Sequence, residues 1–192
     1  MNKSACIFCA SSTKTPSVYL NAAQQLTNIL VENDYGIRYG GGSVGLMGVV
    51  ADTALAKGGK ITGVIPRFMV EVEWQHPNVS NMLVVETMAE RKQLLIKDAD
   101  VIIILPGSTG TLEELSEVLS LKKLNQISTP IIFVNTNRFF DPLFDMFQKM
   151  VDEQFMHHSY LNMYLVIDEP FQIIEAIALA SNTARNSLKK TI

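Results

Sequence analysis

Apolar positions along this chain follow two rhythms. Short runs in which nearly every residue is apolar and β-branched, such as "VIII" from Val101, alternate with longer stretches where apolar residues return every three or four positions. The first rhythm predicts strands buried on both faces, and the second predicts amphipathic helices. Strands are therefore expected at Ala5 to Cys9, Gly36 to Tyr39, Lys60 to Ile65, Leu83 to Val85, Val101 to Leu105, Ile131 to Val134 and Tyr164 to Ile167. Helices are expected at Ser17 to Glu32, Val44 to Lys57, Thr87 to Lys97, Thr111 to Leu124, Asp141 to Gln154 and Pro170 to Ser181. Asp141 before Pro142 opens one of these helices and Gly58-Gly59 closes another, as helix punctuation requires.

Strand and helix alternate throughout, and the strand runs are apolar on both sides. That combination predicts a Rossmann-like, doubly wound α/β fold with a mainly parallel sheet and helices on both faces. No repeat or linker divides the chain, so residues 1–180 are expected to form one nucleotide-binding domain, followed by a polar tail over 181–192. Ligands of such folds sit beyond the carboxyl ends of the strands. The loops after strands are where function is sought.

Composition narrows the partners. The 192 residues are 47% hydrophobic and 18% charged, with a formal charge of −3 and no block of like charge. No basic footprint for a nucleic acid or an anionic membrane is present, which leaves small ligands. The apolar stretch after Lys3 is shorter than a signal-peptide core and far below the roughly 20 residues of a membrane span, so a cytoplasmic protein is expected. Cys6 and Cys9 form a C-x-x-C, but within a strand they point to opposite faces, whereas redox pairs sit at helix N-termini. They read as free thiols. His76, His157 and His158 lack metal-ligand spacing, and no metal or cofactor is expected.

Three loops carry the candidate chemistry. In "YGGGSVGLMG", Gly40, Gly42 and Gly45 match G-x-G-x-x-G, but after the second strand and without an acid at the end of the next, "GVIPRF". Close backbone approach, with Gly41 and Gly42 contacting a nucleotide, is kept; the full dinucleotide reading is not. In "ILPGSTGTLEE", the small residues Gly107 to Thr111 can converge amides on an anion at a helix N-terminus, and a phosphate monoester is the natural guest. It lacks the G-K-[ST] of a nucleoside-triphosphate loop. Thr111 to Glu114 also fits a capping box, and from spacing alone that role stands first. In "ETMAERKQLLI", Glu90, Arg91 and Lys92 face different directions; they read either as an exposed basic turn or as Arg91 and Lys92 reaching a phosphate or carboxylate.

Taken together, "IFCASS", "YGGGSVGLMG", "GVIP", "MAERK" and "PGSTGTLEE" resemble the LOG (Lonely Guy) family of phosphoribohydrolases, long mislabelled as lysine decarboxylases. The resemblance implies a Rossmann-like fold, at least a homodimer, and hydrolysis of the N-glycosidic bond of nucleoside 5'-monophosphates, including cytokinin nucleotides and AMP. The family patterns P-G-G-x-G-T-x-E-E and M-H-x-R-K fall on Pro106 to Glu114 and Met88 to Lys92. By that match Arg91 and Glu114 are the implied catalytic pair, and Met88, Lys92, Gly107, Ser108, Thr109, Gly110, Thr111, Leu112 and Glu113 line the substrate site. Glu73 and Ser120 align with further contact positions. The chain departs from the pattern at Ser108 and Ala10, where the family has glycine, and at Ala89, where it has histidine. No lysine stands in a pyridoxal-phosphate context, so the decarboxylase label has no chemical basis here.

Cleaving a ribosyl bond builds positive charge on the sugar, which a nearby carboxylate stabilises. The expectation is a phosphate held by the loop and a ribose faced by Glu114. The alternatives are a nucleotide or molybdenum-cofactor carrier on the same scaffold, and a dinucleotide-dependent oxidoreductase. The stripe Leu112, Leu115, Val118 and Leu119 reads as core before it reads as a subunit contact.

Overall fold

Seven parallel strands make one sheet in a computed structural model that describes residues 3–70 and 75–189, with 182–189 as backbone only. The strands are β1 (Lys3–Phe8), β2 (Tyr35–Tyr39), β3 (Ile61–Pro66), β4 (Met82–Val85), β5 (Val101–Ile104), β6 (Ile131–Val134) and β7 (Leu165–Ile167), in the order β4-β3-β2-β1-β5-β6-β7. The helices are α1 (Ser17–Glu32), α2 (Gly45–Ala56), α3 (Met88–Ile96), α4 (Thr109–Lys123), α5 (Asp141–Asp152) and α6 (Ile173–Lys189). The chain steps outward from β1 to β4, returns to lay β5 on the other side of β1, and steps outward again. The reversal between β1 and β5, where Ala5 pairs with Val101 and Phe8 with Ile104, is the crevice where doubly wound folds bind ligands.

The period of two along each strand sorts side chains into two cores. Ala5, Ile7 and Cys9 join Ile37, Ile103 and Ile132 beneath α1, α2 and α6. Cys6 and Phe8 join Ile102, Ile104 and Phe133 on the opposite face, with Leu95 of α3, Leu115 and Val118 of α4, and Phe140, which leads into α5. Cutting one of these leucine or isoleucine side chains down to alanine costs about 2–5 kcal/mol. Both cysteines are free and buried, on opposite faces as expected. Burial, aided by the nearby Glu114 charge, pushes both thiols well above their ordinary pKa.

Most element boundaries agree with the hydrophobic pattern to within two residues. Helix α5 ends at Asp152 because Gln154 takes a left-handed φ of 65°, which ends helical hydrogen bonding. Helix α6 runs on to Lys189, past Ser181, because no glycine or proline follows to stop it. The residues Pro170–Gln172 form a short 3-10 turn leading into it. Among the described residues no helix is long and apolar enough to cross a membrane.

Candidate active site

Helix α4 begins at Thr109 with Ser108 as its N-cap, three residues earlier than the Thr111 cap that the capping-box pattern predicts. That displacement corrects the reading of Glu114. A capping acid must sit at the third helical position, and Thr111 occupies it here. Glu114 stands one turn further on, where its side chain turns inward and is buried. The first intrahelical bond runs from Leu112 N–H to the Ser108 carbonyl, 3.1 Å. The amides of Thr109, Gly110 and Thr111 therefore precede the hydrogen-bonded ladder, and the positive end of the helix dipole adds to them. Ser108 makes no side-chain capping bond, so its hydroxyl does not occupy the space it would ordinarily fill.

The turn is closed inside and open outside. A Cβ on Gly107 would lie 2.0 Å from Thr111 Oγ1, so only glycine fits against that buried threonine. A Cβ on Gly110 would meet nothing within 4 Å. Ser108, Thr109 and Gly110 are all exposed.

Arg91 is the second element. Helix α3 opens with a full capping box, Thr87 Oγ1 accepting from Glu90 N–H while Glu90 accepts from Thr87 N–H. Glu90 thus has a structural task and stays at the surface. One residue later Arg91 points the other way and is buried, which removes the exposed-turn reading. Its Nε donates to the Val64 carbonyl of β3 at 3.2 Å, its Nη2 to the Gly40 carbonyl beyond β2 at 3.4 Å, and its Nη1 to Glu114 Oε1 at 3.1 Å. The two side chains of this ion pair are only 6% and 5% exposed. A pair so withdrawn from water must have its hydrogen bonds supplied, and the sheet's carbonyl ends supply them.

The glycine loop after β2 serves this arrangement. A Cβ on Gly40 would lie 2.4 Å from Arg91 Nη2 and 2.9 Å from Met47 Cε. Gly45, at φ 62°, lies against the Ser11-Ser12 backbone, where a Cβ would come within 2.6 Å of the Ser12 carbonyl oxygen. The glycines admit the protein's own groups. Gly41 and Gly42 are buried. Ala10 ties the crevice together, donating to the Pro106 carbonyl and accepting from Met47 N–H, both at 3.2 Å.

Lys92 reaches across from α3 to α4 and pairs with Glu113 and Glu117. Hydrogen bonds donated to those two carboxylates, Glu113 first, raise its pKa above the ordinary 10.5. Met88 begins α3, half-buried, and Leu112 is exposed one turn into α4. Ser120 lies ten residues beyond Gly110, about 15 Å along the helix. It bonds back to the Ser116 carbonyl at 2.8 Å and lines a separate groove with Phe147 and Tyr160. Glu73 lies outside the described residues. The predicted stripe divides: Leu115 and Val118 are core, Leu119 packs against it, and Leu112 is exposed. Among the described residues no three His, Cys, Asp or Glu side chains converge on a point that could hold a metal.

An inward carboxylate, a buried arginine and an open helix N-terminus at the switch point can be compared with known proteins. The family described as "Possible lysine decarboxylase" matches residues 47–177. A cytokinin riboside 5'-monophosphate phosphoribohydrolase of Arabidopsis thaliana is 38% identical over 151 residues, 79% of this chain and 71% of that protein. The chain belongs to the LOG family. Another Arabidopsis LOG protein of the same printed activity is 32% identical over 175 residues, 91% of this chain and 77% of its own. Among solved structures, the molybdenum cofactor carrier protein of Chlamydomonas reinhardtii superposes with a TM-score of 0.72 at 18% identity, covering 95% of this chain and 99% of that one. The molybdenum cofactor binding protein of Rippkaea orientalis gives 0.69 at 20% identity, covering 93% and 96%. At those identities the likeness is one of fold.

Proposed function

We infer that this LOG-family chain hydrolyses the N-glycosidic bond of nucleoside 5'-monophosphates, cytokinin riboside 5'-monophosphate or AMP, giving the free base and ribose 5-phosphate. The observation that carries the reading is a carboxylate buried one turn below an uncapped, exposed helix N-terminus. The kinship to proteins named for that activity supports it.

The mechanism follows from the placement. The amides of Thr109 to Thr111 and the hydroxyls around them take the 5'-phosphate, whose charge suits the helix N-terminus. Glu114 lies about 6 Å further along the helix axis, one sugar ring from the phosphate. As the base departs with the electron pair of the C1'–N bond, positive charge grows on the ribose. Glu114 stabilises that charge or orients the water whose oxygen bonds to C1' while its proton leaves. Arg91 fixes the carboxylate's position from behind and balances its charge. The departing base takes up a proton, so water is the one co-reactant and no cofactor is used.

The active form we propose is a homodimer or higher homo-oligomer at work in the cytoplasm. Exposed Leu112 and Met146, on α4 and α5, are the kind of apolar surface a second copy would cover. Sedimentation of the purified protein tests that part. The reaction is tested by incubating the chain with AMP and with a cytokinin nucleotide and separating the products. Free base and ribose 5-phosphate in equal amounts are expected; nucleotide bound without turnover would make the chain a carrier instead.

A further inference from the structure

We propose that His76 is a positioning residue for the reaction, a pin that fixes the glycine loop and, through it, the buried arginine. The proposal rests on the function argued above. Its starting observation is a histidine with both ring nitrogens engaged in a place the active-site residues do not reach. The side chain is 4% exposed, Nε2 lies 3.1 Å from Asp52 Oδ1 of α2, and Nδ1 lies 3.3 Å from the Asn78 N–H. Because Nδ1 accepts that amide hydrogen, the ring's own proton is on Nε2 and is donated to Asp52. The imidazole is thereby held at two ends and cannot turn.

The backbone of the same residue grips the loop. His76 N–H donates to the Gly41 carbonyl at 3.1 Å, and Gln75 forms an antiparallel bridge with Gly42. The loop leaves β2 at Tyr39 and enters α2 at Gly45. The pin therefore holds it by its middle, through the backbone, and by the helix it feeds, through Asp52. Immediately before Gly41, the Gly40 carbonyl receives Arg91 Nη2, and Arg91 Nη1 holds Glu114. A continuous line of contacts thus runs from Asp52 through His76, Gly41, Gly40 and Arg91 to the carboxylate. The guanidinium lies close against Gly40, since a Cβ there would overlap it.

A satisfied core histidine would contribute to stability alone. A positioning residue also sets kcat, because small displacements of a reacting group cost rate steeply. The two are separated with His76→Ala, His76→Gln and Asp52→Ala, assayed with AMP well below their melting temperatures. Gln places an amide N–H near the position of Nε2 and can keep the bond to Asp52. Asp52 is 71% exposed, so its alanine variant keeps the core intact.

His76→Ala and Asp52→Ala are expected to lower kcat about tenfold or more with KM changed less than about twofold, since the phosphate grip lies elsewhere. His76→Gln is expected to recover most of the loss. Alongside the kinetics, the Arg91 Nε–H resonance is followed by NMR in the same proteins, where the alanine variants are expected to shift it and speed its exchange with water. Parental kcat in the alanine variants, a loss confined to KM, or an Arg91 signal that does not change overturns the proposal. If the parent releases no base from any nucleotide, the hydrolase reading fails on its own, and the Arg91 signal still decides whether His76 positions that side chain.

Discussion

Arg91 Nη1 and Glu114 Oε1 stand 3.1 Å apart, joined across 23 residues of sequence by helices packed on the same face of the sheet. Breaking such a pair from one side leaves the other charge buried and uncompensated, which costs about 3–5 kcal/mol, whereas replacing both by apolar groups can be neutral. Glu114→Gln keeps a hydrogen-bonding group and is expected to lower kcat by about 10²–10³-fold, the scale seen when a preorganised electrostatic contact is lost. The double change Arg91→Met with Glu114→Leu is expected to unfold in urea at nearly the parental concentration while releasing no base. Full activity in Glu114→Gln would show that the carboxylate serves only the fold.

Gly107 and Gly110 flank the same turn and predict opposite outcomes. At Gly107 an added methyl collides with Thr111, and relief of that overlap is expected to cost about 1–3 kcal/mol. At Gly110 the methyl enters open space, and the helix gains up to about 1 kcal/mol from the better helix former. Yet that open space is where the phosphate is expected to sit, so Gly110→Ala should raise the KM for AMP as it raises the melting temperature. A melting temperature that falls in Gly110→Ala would contradict the open turn.

The fold was legible because β-branched runs such as Val101 to Ile104 can be buried only as central strands, and their spacing by helical stretches leaves few topologies. The position of Glu114 was not. "TLEE" satisfies a capping-box spelling, and only the start of α4 at Thr109 shows that the second glutamate lies beyond the cap. The same limit applies to Arg91 and Lys92: spacing shows that neighbours on a helix diverge, but not which one turns toward the sheet. His76 left no motif to find, since its partners Asp52, Asn78 and Gly41 come from three separate segments. Its burial is visible only in the folded chain.

Ser108 is an N-cap residue that does not cap. Removing an ordinary serine cap costs about 1 kcal/mol, so Ser108→Ala is expected to change the urea midpoint by less than half of what such a loss would give. Its hydroxyl is exposed beside the free amides, and its loss should appear in the KM for nucleotide. A stability loss of the full capping size would mean that the hydroxyl holds the helix start in solution.

Cys6 in β1 and Cys9 just beyond it are buried in the two opposite cores, and burial raises the pKa of each thiol. Because the thiolate is the reactive form, native protein is expected to resist a thiol-specific disulfide reagent at neutral pH until unfolding exposes both groups. Stoichiometry read from absorbance should go from near zero to two per chain when guanidinium is added. Prompt reaction of either thiol in the native protein would show that its face of the sheet opens far more often than its packing implies.

Lys92 gives the alkaline test. Its ammonium is raised above 10.5 by Glu113 and then Glu117, so the folded value exceeds the unfolded one. The stabilisation is therefore complete below the unfolded value and is lost as pH rises through the folded value. Urea unfolding followed from about pH 9 upward should show parental stability falling more steeply than that of Lys92→Met, which has no ammonium to lose. In Glu113→Gln the fall should begin at lower pH, because the strongest of the two partners is gone. The same variant leaves the ammonium with Glu117 alone and removes a negative charge from the first turns of α4, so it should also bind AMP more tightly. Identical alkaline profiles in the parent and Lys92→Met would mean that the contacts between α3 and α4 contribute nothing in solution.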